Sequence, residues 1–422
     1  MIAALLAVLQ SLVVGIAAAR WIDPAAPPRR LLGTAYLLGS GICAFVLLAL
    51  SVAGIRWTTA TFTVAYCLVA IALWAPLLRR AAPAVEGGGR ASLIDLGTLA
   101  LVIAHGVYAW KAGGREWDFW AIWGQKARVF FTHGGVDWTF LVHPDHAFTH
   151  PDYPPLLSLE YVRLALLGGA WNESPMGLLS TLHAAAVLLI VRDFFAEELR
   201  PAMAAAATLA AASGALSNAG MADAPMIAYG TAALLSIRRG SMRTGAVLLG
   251  LAAFTKNEGL ALIAAVVLGL VADGRRAARR SAILRLWPAL AIVSPWLVLR
   301  AVHALPTDLA TGALSERIRL AFSHVPELLR ALAEFPPRHP LFWIGVAAAL
   351  LVYARQLDRE RFLLTVIVVQ LGFYLAAYLV TPHDLTPHVG SSWPRILQHV
   401  AIPAAFVALT LTLRRFDESR AA

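Results

Sequence analysis

The residues with the clearest chemical potential lie in one short segment, 114–127, where acids, bases and large aromatic side chains occur together. Asp118 stands between Trp117 and Phe119, so its carboxylate loses hydration and costs stability unless it is paired or has a task. A desolvated carboxylate is suited to accept a proton from a hydroxyl or amine as a new bond forms. The structural alternative is a salt bridge from Asp118 to a nearby base: Arg115, Lys126 or Arg128.

Glu116 and three tryptophans accompany this acid. Glu116 lies two positions before Asp118, and two such carboxylates can hold a divalent cation such as Mg²⁺ or Mn²⁺, although the sequence does not require one. Trp117, Trp120 and Trp123 recur every three residues, a spacing that predicts one helical face suited to a lipid chain or a sugar ring. Tryptophans at this depth are also ordinary anchors at a membrane edge.

A second polar segment, 143–157, contains three histidines together with Asp152 and Tyr153 in a loop shaped by prolines. Its spacing matches no standard zinc site, and the prolines disfavour a helical His-x-x-x-His pair. We interpret it as a polar loop over a reaction cleft. The Pro-Pro pair that follows Tyr153 predicts the start of an amphipathic helix over 156–168.

Charged residues also interrupt the apolar pattern farther along the chain. Asp223 opens one apolar run, and Lys256 and Glu258 separate two others. Charges at such depth are expensive and are usually paired or functional. Lys256 therefore either forms a local ion pair with Glu258, with Gly259 as the turn residue, or meets an anionic headgroup.

The last polar loop, 381–394, contains His383 and ends before Arg395. Arg395 opens the final apolar run, where a guanidinium can hold phosphate oxygens through two parallel hydrogen bonds. Its alternative role is to extend its charged end from the membrane edge into water. The full set of further candidates for a substrate or metal site is Glu116, Asp152, Tyr153, Asp223, Glu258 and His383.

These residues are embedded in a chain of 422 residues that is 59% hydrophobic and 14% charged. Soluble domains carry about 25% charged residues, so the composition predicts an all-α polytopic membrane protein. Continuous apolar runs argue against the alternating strands of a membrane barrel. Thirteen runs predict about 13 transmembrane helices, at 1–19, 31–54, 57–78, 92–110, 176–194, 200–217, 221–237, 243–255, 258–272, 282–303, 339–354, 361–380 and 395–413.

The net charge of +10 arises from bases clustered between apolar runs, which argues for membrane sidedness and against nucleic acid as a partner. Their distribution favours an outside N-terminus and an inside C-terminus. The first run has a cleaved signal peptide as its alternative, which the lack of a basic start disfavours. Cys43 and Cys67 both lie in apolar runs, so a disulfide framework or thiolate metal site is not expected.

Taken in order, these elements resemble the GT-C superfamily of membrane glycosyltransferases, specifically its bacterial branch similar to the protein O-mannosyltransferase and aminoarabinose transferase group. The resemblance covers roughly residues 92 to 413. It rests on the acidic motif around Asp118, Tyr153-Pro154-Pro155-Leu156, Ala222-Asp223-Ala224-Pro225, Thr255-Lys256-Asn257-Glu258-Gly259, and Arg395 followed by Pro403.

The resemblance implies a GT-C-like enzyme with its outer catalytic loop between helices 4 and 5. Such an enzyme moves a hexosyl or pentosyl group from a polyprenyl-phosphate donor to a lipid, glycan or protein acceptor, with inversion for a single displacement. Asp118 would be catalytic, and Lys256 and Arg395 would bind the donor phosphate. The expected location is the bacterial cytoplasmic (inner) membrane, with the active site on the periplasmic or extracellular side.

The implied organisation has two parts. Residues 1–91 form an N-terminal three-helix membrane extension and a cytoplasmic linker, which family members usually lack. Residues 92–422 form the GT-C-like transmembrane core, with outer loops at 111–175, 304–338 and 381–394. A second departure from the family is the spacing of the acidic pair, because Glu116 is not adjacent to Asp118. Metal dependence therefore stays open.

Two other classes of function also fit the sequence. A polytopic transporter or lipid flippase would contain polar breaks in its helices and charges within the membrane, although no internal repeat is apparent. A noncatalytic scaffold in an envelope assembly would depend on its helix faces and would tolerate loss of Asp118.

Overall fold

The computed structural model describes residues 2–79, 92–216, 219–273, 276–307 and 314–421, and every regular element within these ranges is helical. The α-helices are α1 Ile2–Ile22, α2 Pro28–Val52, α3 Thr59–Trp74, α4 Leu93–Ala112, α5 Gly124–His133, α6 Trp138–Val142, α7 Leu156–Gly168, α8 Glu173–Glu198, α9 Pro201–Ala215, α10 Asp223–Arg239, α11 Met242–Ala253, α12 Glu258–Ala272, α13 Arg276–Leu284, α14 Trp287–Val302, α15 Leu314–Glu334, α16 Pro340–Val352, α17 Arg361–Leu379, α18 Leu385–Ile396 and α19 Gln398–Ala421.

Each of the thirteen apolar runs coincides with a helix, and the chain is a helical membrane protein. Among the described residues, seven helical segments are long and apolar enough to span a membrane, or eight if the bent pair α18 and α19 forms one span. The seven segments are 2–22, 28–52, 59–79, 93–112, 173–198, 280–302 and 354–379. Helices such as α11 and α12 are shorter than the roughly 20 residues that a full span requires. Thirteen spans therefore stays a prediction.

Helices α1 and α2 pack closely because glycines remove side-chain bulk at their contact. A Cβ atom added to Gly15 would lie 1.7 Å from the Ala35 carbonyl oxygen, and one added to Gly39 would lie 1.8 Å from that of Ser11. Only residues without a side chain permit such backbone approach. Helix α2 also packs against α7 and α8, so the N-terminal helices share one hydrophobic core with the rest of the bundle. The predicted linker falls mainly on 80–91, outside the described residues.

The segment between α4 and α8 differs from its prediction in two details. Helix α7 has the predicted bounds, but its residues from Leu156 to Leu166 are all buried, so it is not amphipathic. Residues Phe119–Trp123 form a π-helical turn. The wider turn changes the angle between successive side chains, so Trp117 and Trp120 are exposed whereas Trp123 is buried. The three tryptophans therefore do not form one exposed face.

The last predicted loop, 381–394, is largely helix α18, and Arg395 lies in the last turn of this helix instead of opening the final one. Helices α18 and α19 meet at an angle of 42°. Pro394 and Pro403 lie on either side of this bend. Each proline removes one backbone hydrogen bond, which weakens the helix around the junction. The bend turns the end of α18 towards the start of α10.

Candidate functional site

The site is centred on an ion pair between Asp118 and Arg395. Asp118 precedes the π-helical turn, and its Oδ2 atom lies 2.5 Å from Nη1 of Arg395. Both side chains are largely buried, with 17% and 15% of their surfaces exposed. Asp118 therefore has a partner far along the chain, instead of the nearby bases that the sequence suggested. Asp118, to which the resemblance gives the catalytic role, thus contacts Arg395, one of the two residues to which it gives phosphate binding.

Asp223 joins this pair to Lys256. Its Oδ2 atom lies 3.3 Å from Nε of Arg395, and its Oδ1 atom accepts a hydrogen bond of 3.2 Å from Nζ of Lys256. Asp223 is the first residue of α10 and is fully buried. The partial positive charge at a helix N-terminus also favours a carboxylate there. One buried anion thus contacts two cations from different parts of the chain.

Lys256 makes the predicted local ion pair and a second, longer-range one. Its Nζ atom lies 2.8 Å from Oε1 of Glu258, in addition to its bond with Asp223. Lys256 occupies the break between α11 and α12, where its side chain is 7% exposed. Burial alone would lower the pKa of the ammonium group, but the Asp223 and Glu258 carboxylates outweigh burial and raise this pKa above its usual value. The two carboxylates therefore favour the charged form of Lys256.

A relay of three side chains that the sequence did not single out supports Asp223. The Nε2 atom of His399 lies 2.8 Å from Oδ1 of Asp223, and its Nδ1 atom lies 2.7 Å from the Tyr374 hydroxyl. Gln370 donates to that hydroxyl at 2.9 Å. Because a carboxylate only accepts, neutral His399 carries its proton on Nε2 and accepts from Tyr374 on Nδ1. The available signal was spacing: His399 follows Arg395 by four residues, one helical turn.

We call the group formed by six of these residues the central ion network: Asp118, Asp223, Lys256, Glu258, Arg395 and His399. The network contains three carboxylates, one guanidinium, one ammonium group and the His399 imidazole. Two of its buried atoms, Nε of Arg395 and Oε2 of Glu258, have no hydrogen-bond partner among the described residues. Polar atoms of this kind are suited to contact a ligand.

Asp152 and Tyr153 form the neighbouring wall of the site. Asp152 is buried, and its Oδ2 atom accepts hydrogen bonds of 2.9 Å from Asn257 and 3.0 Å from Thr307. Asn257 directly follows Lys256, so it connects Asp152 to the central ion network. The Tyr153 ring stacks on that of Trp123, with centroids 5.6 Å apart. The predicted polar loop thus lies beside the network.

Two predicted candidates make other contacts. The Glu116 carboxylate lies 3.5 Å from the Tyr108 hydroxyl, and the exposed His383 ring lies 5.6 Å from that of His388. Neither residue contacts the central ion network within the described part of the chain. Among these residues no three His, Cys, Asp or Glu side chains form a group that could hold a metal ion.

Comparisons with protein-family models, with curated proteins and with solved structures find no match to this chain. The site must therefore be interpreted from its own geometry. It consists of the Asp118 carboxylate in contact with the Arg395 guanidinium, the Lys256 ammonium group joined to that guanidinium through the buried Asp223, and an aromatic wall.

Proposed function

We propose that the protein is a GT-C-like membrane glycosyltransferase that moves a hexosyl or pentosyl group from a polyprenyl-phosphate carrier to a lipid, glycan or protein acceptor. The observation that carries this proposal is the convergence of Asp118, Lys256 and Arg395 in one network. A carboxylate beside two cations matches the needs of a reaction in which an acceptor loses a proton while a phosphate departs.

The proposed reaction is a single displacement at the anomeric carbon. The acceptor oxygen or nitrogen forms a bond to this carbon as the bond between the carbon and the phosphate oxygen breaks. Asp118 takes the proton that the acceptor loses, and the bonding electrons leave with the phosphate. Attack from the side opposite the leaving group inverts the configuration of the sugar.

Arg395 has two functions in this proposal. Its contact with Asp118 holds the proposed base in place before the donor binds. A donor phosphate can also bind the guanidinium, and it must compete for it with Asp118 and Asp223 because both carboxylates already contact Arg395. Transfer of Arg395 from Asp118 to the phosphate would release the base when the donor binds.

Lys256 supplies the second cation for the leaving phosphate. Asp223 and Glu258 hold its ammonium group in place, and His399 and Tyr374 in turn orient Asp223. These acids and the relay are positioning residues, because they act through the cations. Preorganised charges of this type stabilise a developing phosphate anion without rearrangement during the reaction.

The proposed location is the bacterial cytoplasmic membrane, with the central ion network on the periplasmic or extracellular side. The support is the distribution of Lys and Arg, which clusters in the connections assigned to the cytoplasm. A polyprenyl-phosphate sugar whose head group faces the outer side of the membrane could reach the central ion network by diffusing within the membrane. Cysteine labelling from outside intact cells tests the assignment, with positions 116 and 383 expected to react.

The central experiment measures sugar transfer from polyprenyl-phosphate hexose and pentose donors by purified protein in detergent. Asp118→Asn and Arg395→Ala should abolish most of the transfer, whereas Glu116→Gln, an acid in the same segment but outside the network, should retain it. Full activity of Asp118→Asn would remove the role assigned to Asp118.

A transporter or flippase is the second candidate, because Arg395 and His399 lie on either side of the bent junction between α18 and α19. Lys256 lies in the short connection between α11 and α12. Discontinuous helices commonly form substrate sites in transporters. Purified protein distinguishes the two functions: a transferase releases polyprenyl phosphate from its sugar conjugate when an acceptor is present, and a transporter moves the conjugate across a vesicle membrane unchanged.

A further inference from the structure

A second charged cluster lies inside the helix bundle and is not used by the proposed reaction. Glu160 and Arg163 on α7 and His183 on α8 are all fully buried. The Glu160 Oε2 atom lies 3.6 Å from Nε2 of His183, and its Oε1 atom lies 3.8 Å from Nη2 of Arg163. Both distances exceed those of hydrogen bonds, and both carboxylate oxygens lack a hydrogen-bond partner among the described residues.

The protonation of His183 follows from its other contact. Its Nδ1 atom lies 2.8 Å from the Leu179 carbonyl oxygen. A carbonyl only accepts, so Nδ1 carries the ring proton and Nε2 of the neutral ring presents a lone pair. This lone pair faces an oxygen of Glu160. With Glu160 ionised, two acceptors would therefore face each other inside the bundle, and one additional proton would convert them into a donor and an acceptor.

The other groups around Glu160 are engaged elsewhere or carry no charge. Arg163 donates to the Ser11 hydroxyl of α1 at 2.9 Å, and Tyr229 of α10 donates to the Leu37 carbonyl at 2.9 Å. Helix α2 contributes two neutral groups, Tyr36 and Cys43, which are both buried. Arg163 is thus the one cation near Glu160 in the described part of the chain.

The balance of charge and burial favours a neutral Glu160. Helix α7, which contains Glu160, is not one of the helices that are long and apolar enough to span a membrane. Burial raises the pKa of the Glu160 carboxyl to about 7, against the lowering effect of the Arg163 guanidinium. A second cation at His183 would also be repelled by Arg163, so the additional proton belongs on the acid.

We propose that Glu160 and His183 form a proton-binding site, in which the Glu160 carboxyl holds the proton and donates it towards Nε2 of His183. Water supplies and removes this proton, so the site needs no other reactant. Arg163 connects the site to α1 through Ser11, and α7 follows the wall that contains Asp152 and Tyr153. Protonation would therefore affect the contact between the N-terminal helices and the site-bearing segment. The inference does not depend on the proposed transferase activity.

Infrared difference spectroscopy of the full-length protein in detergent tests this site directly, because a protonated carboxylic acid has its own carbonyl band. The wild-type protein should gain a buried-acid band as the pH falls through neutrality. Glu160→Gln, which has nearly the same shape, should lose this band. Glu116→Gln removes a carboxyl outside the bundle core and should keep it.

A second variant tests the partner. His183→Asn keeps a donor for the Leu179 carbonyl but has no acceptor in the position of Nε2. Its Glu160 band should remain and should titrate at a pH lower by about one unit, as expected for the loss of one hydrogen bond. A wild-type band that persists in Glu160→Gln, or a Glu160 carboxylate that stays ionised throughout the neutral range, would overturn the proposal.

Discussion

Asp118 and Arg395 form an ion pair of 2.5 Å although they are 277 positions apart in the chain. The contact joins the turn after α4 to the end of α18 and buries most of both side chains. The same guanidinium also contacts the fully buried Asp223. Arg395 is thus held between two acids from different segments, and removing any one of the three charges will affect the other two.

Substitution of Asp118 by Asn should lower sugar transfer by about 10²- to 10⁴-fold, the usual contribution of a general base. The protein should stay folded because asparagine has nearly the same shape as aspartate and Arg395 keeps its contact with Asp223. Initial rates with a saturating polyprenyl-phosphate donor measure the change in kcat. Glu116→Gln serves as the control, and an equal loss of activity in that variant would contradict the assignment.

Asp223→Asn should destabilise the protein far more than Asp118→Asn. It leaves Lys256 and Arg395 with less compensation in a buried position, and breaking a buried pair in this way costs about 3–5 kcal/mol. Thermal unfolding in detergent compares the two variants. Similar unfolding temperatures for both would show that Asp223 is not the centre of the network.

The contact of His399 with Asp223 depends on a donor at the position of Nε2. His399→Gln preserves such a donor, whereas His399→Ala removes it and should lose about 1–3 kcal/mol of stability. If His399 positions Asp223, the Gln variant should recover most of the stability and most of the transfer activity. Equal defects in both variants would indicate that the ring itself is required.

Protein stability should depend on pH through Glu160. Burial raises the pKa of this carboxyl from 4.5 to about 7, so the folded state binds the proton more tightly than the unfolded chain does. The resulting stability is fully present below about pH 4.5 and is lost as the pH rises through 7. The loss should reach up to about 3 kcal/mol. Thermal unfolding at several pH values should show this loss in the wild-type protein but not in Glu160→Gln.

The contact between α1 and α2 should tolerate no side chain at Gly39. An added Cβ atom would lie 1.8 Å from the Ser11 carbonyl oxygen, so Gly39→Ala must push the helices apart. We expect a loss of about 1–3 kcal/mol. Gly345→Ala is the matched control: no atom lies within 4 Å of its Cβ position. That variant should be neutral or more stable, because alanine favours a helix by about 1 kcal/mol. Thermal unfolding of both variants checks the pair.

Much of the local structure could be predicted because it depends on neighbouring residues. Apolar length located thirteen of the nineteen α-helices that the structure describes, and the prolines before Leu156 correctly predicted the start of α7. The burial of α7 on every side was not predictable, since it depends on which helices cover it. The π-helical turn at Phe119–Trp123 was not predictable either. Trp123 is buried and stacks on Tyr153, whereas Trp117 and Trp120 stay exposed, so the three tryptophans do not share one face.

An apolar helical chain and most of the charged residues of the site are readable from the order of residues, because a charge in an apolar run is costly wherever the run folds. Which charges meet depends on the folded molecule: Asp118 meets Arg395, Asp223 meets Lys256 and His399, and Glu160 meets His183. An ion pair or shared proton requires atoms within a few ångströms of each other. Such distances between remote segments follow from helix packing and bends, which no local pattern of residues contains.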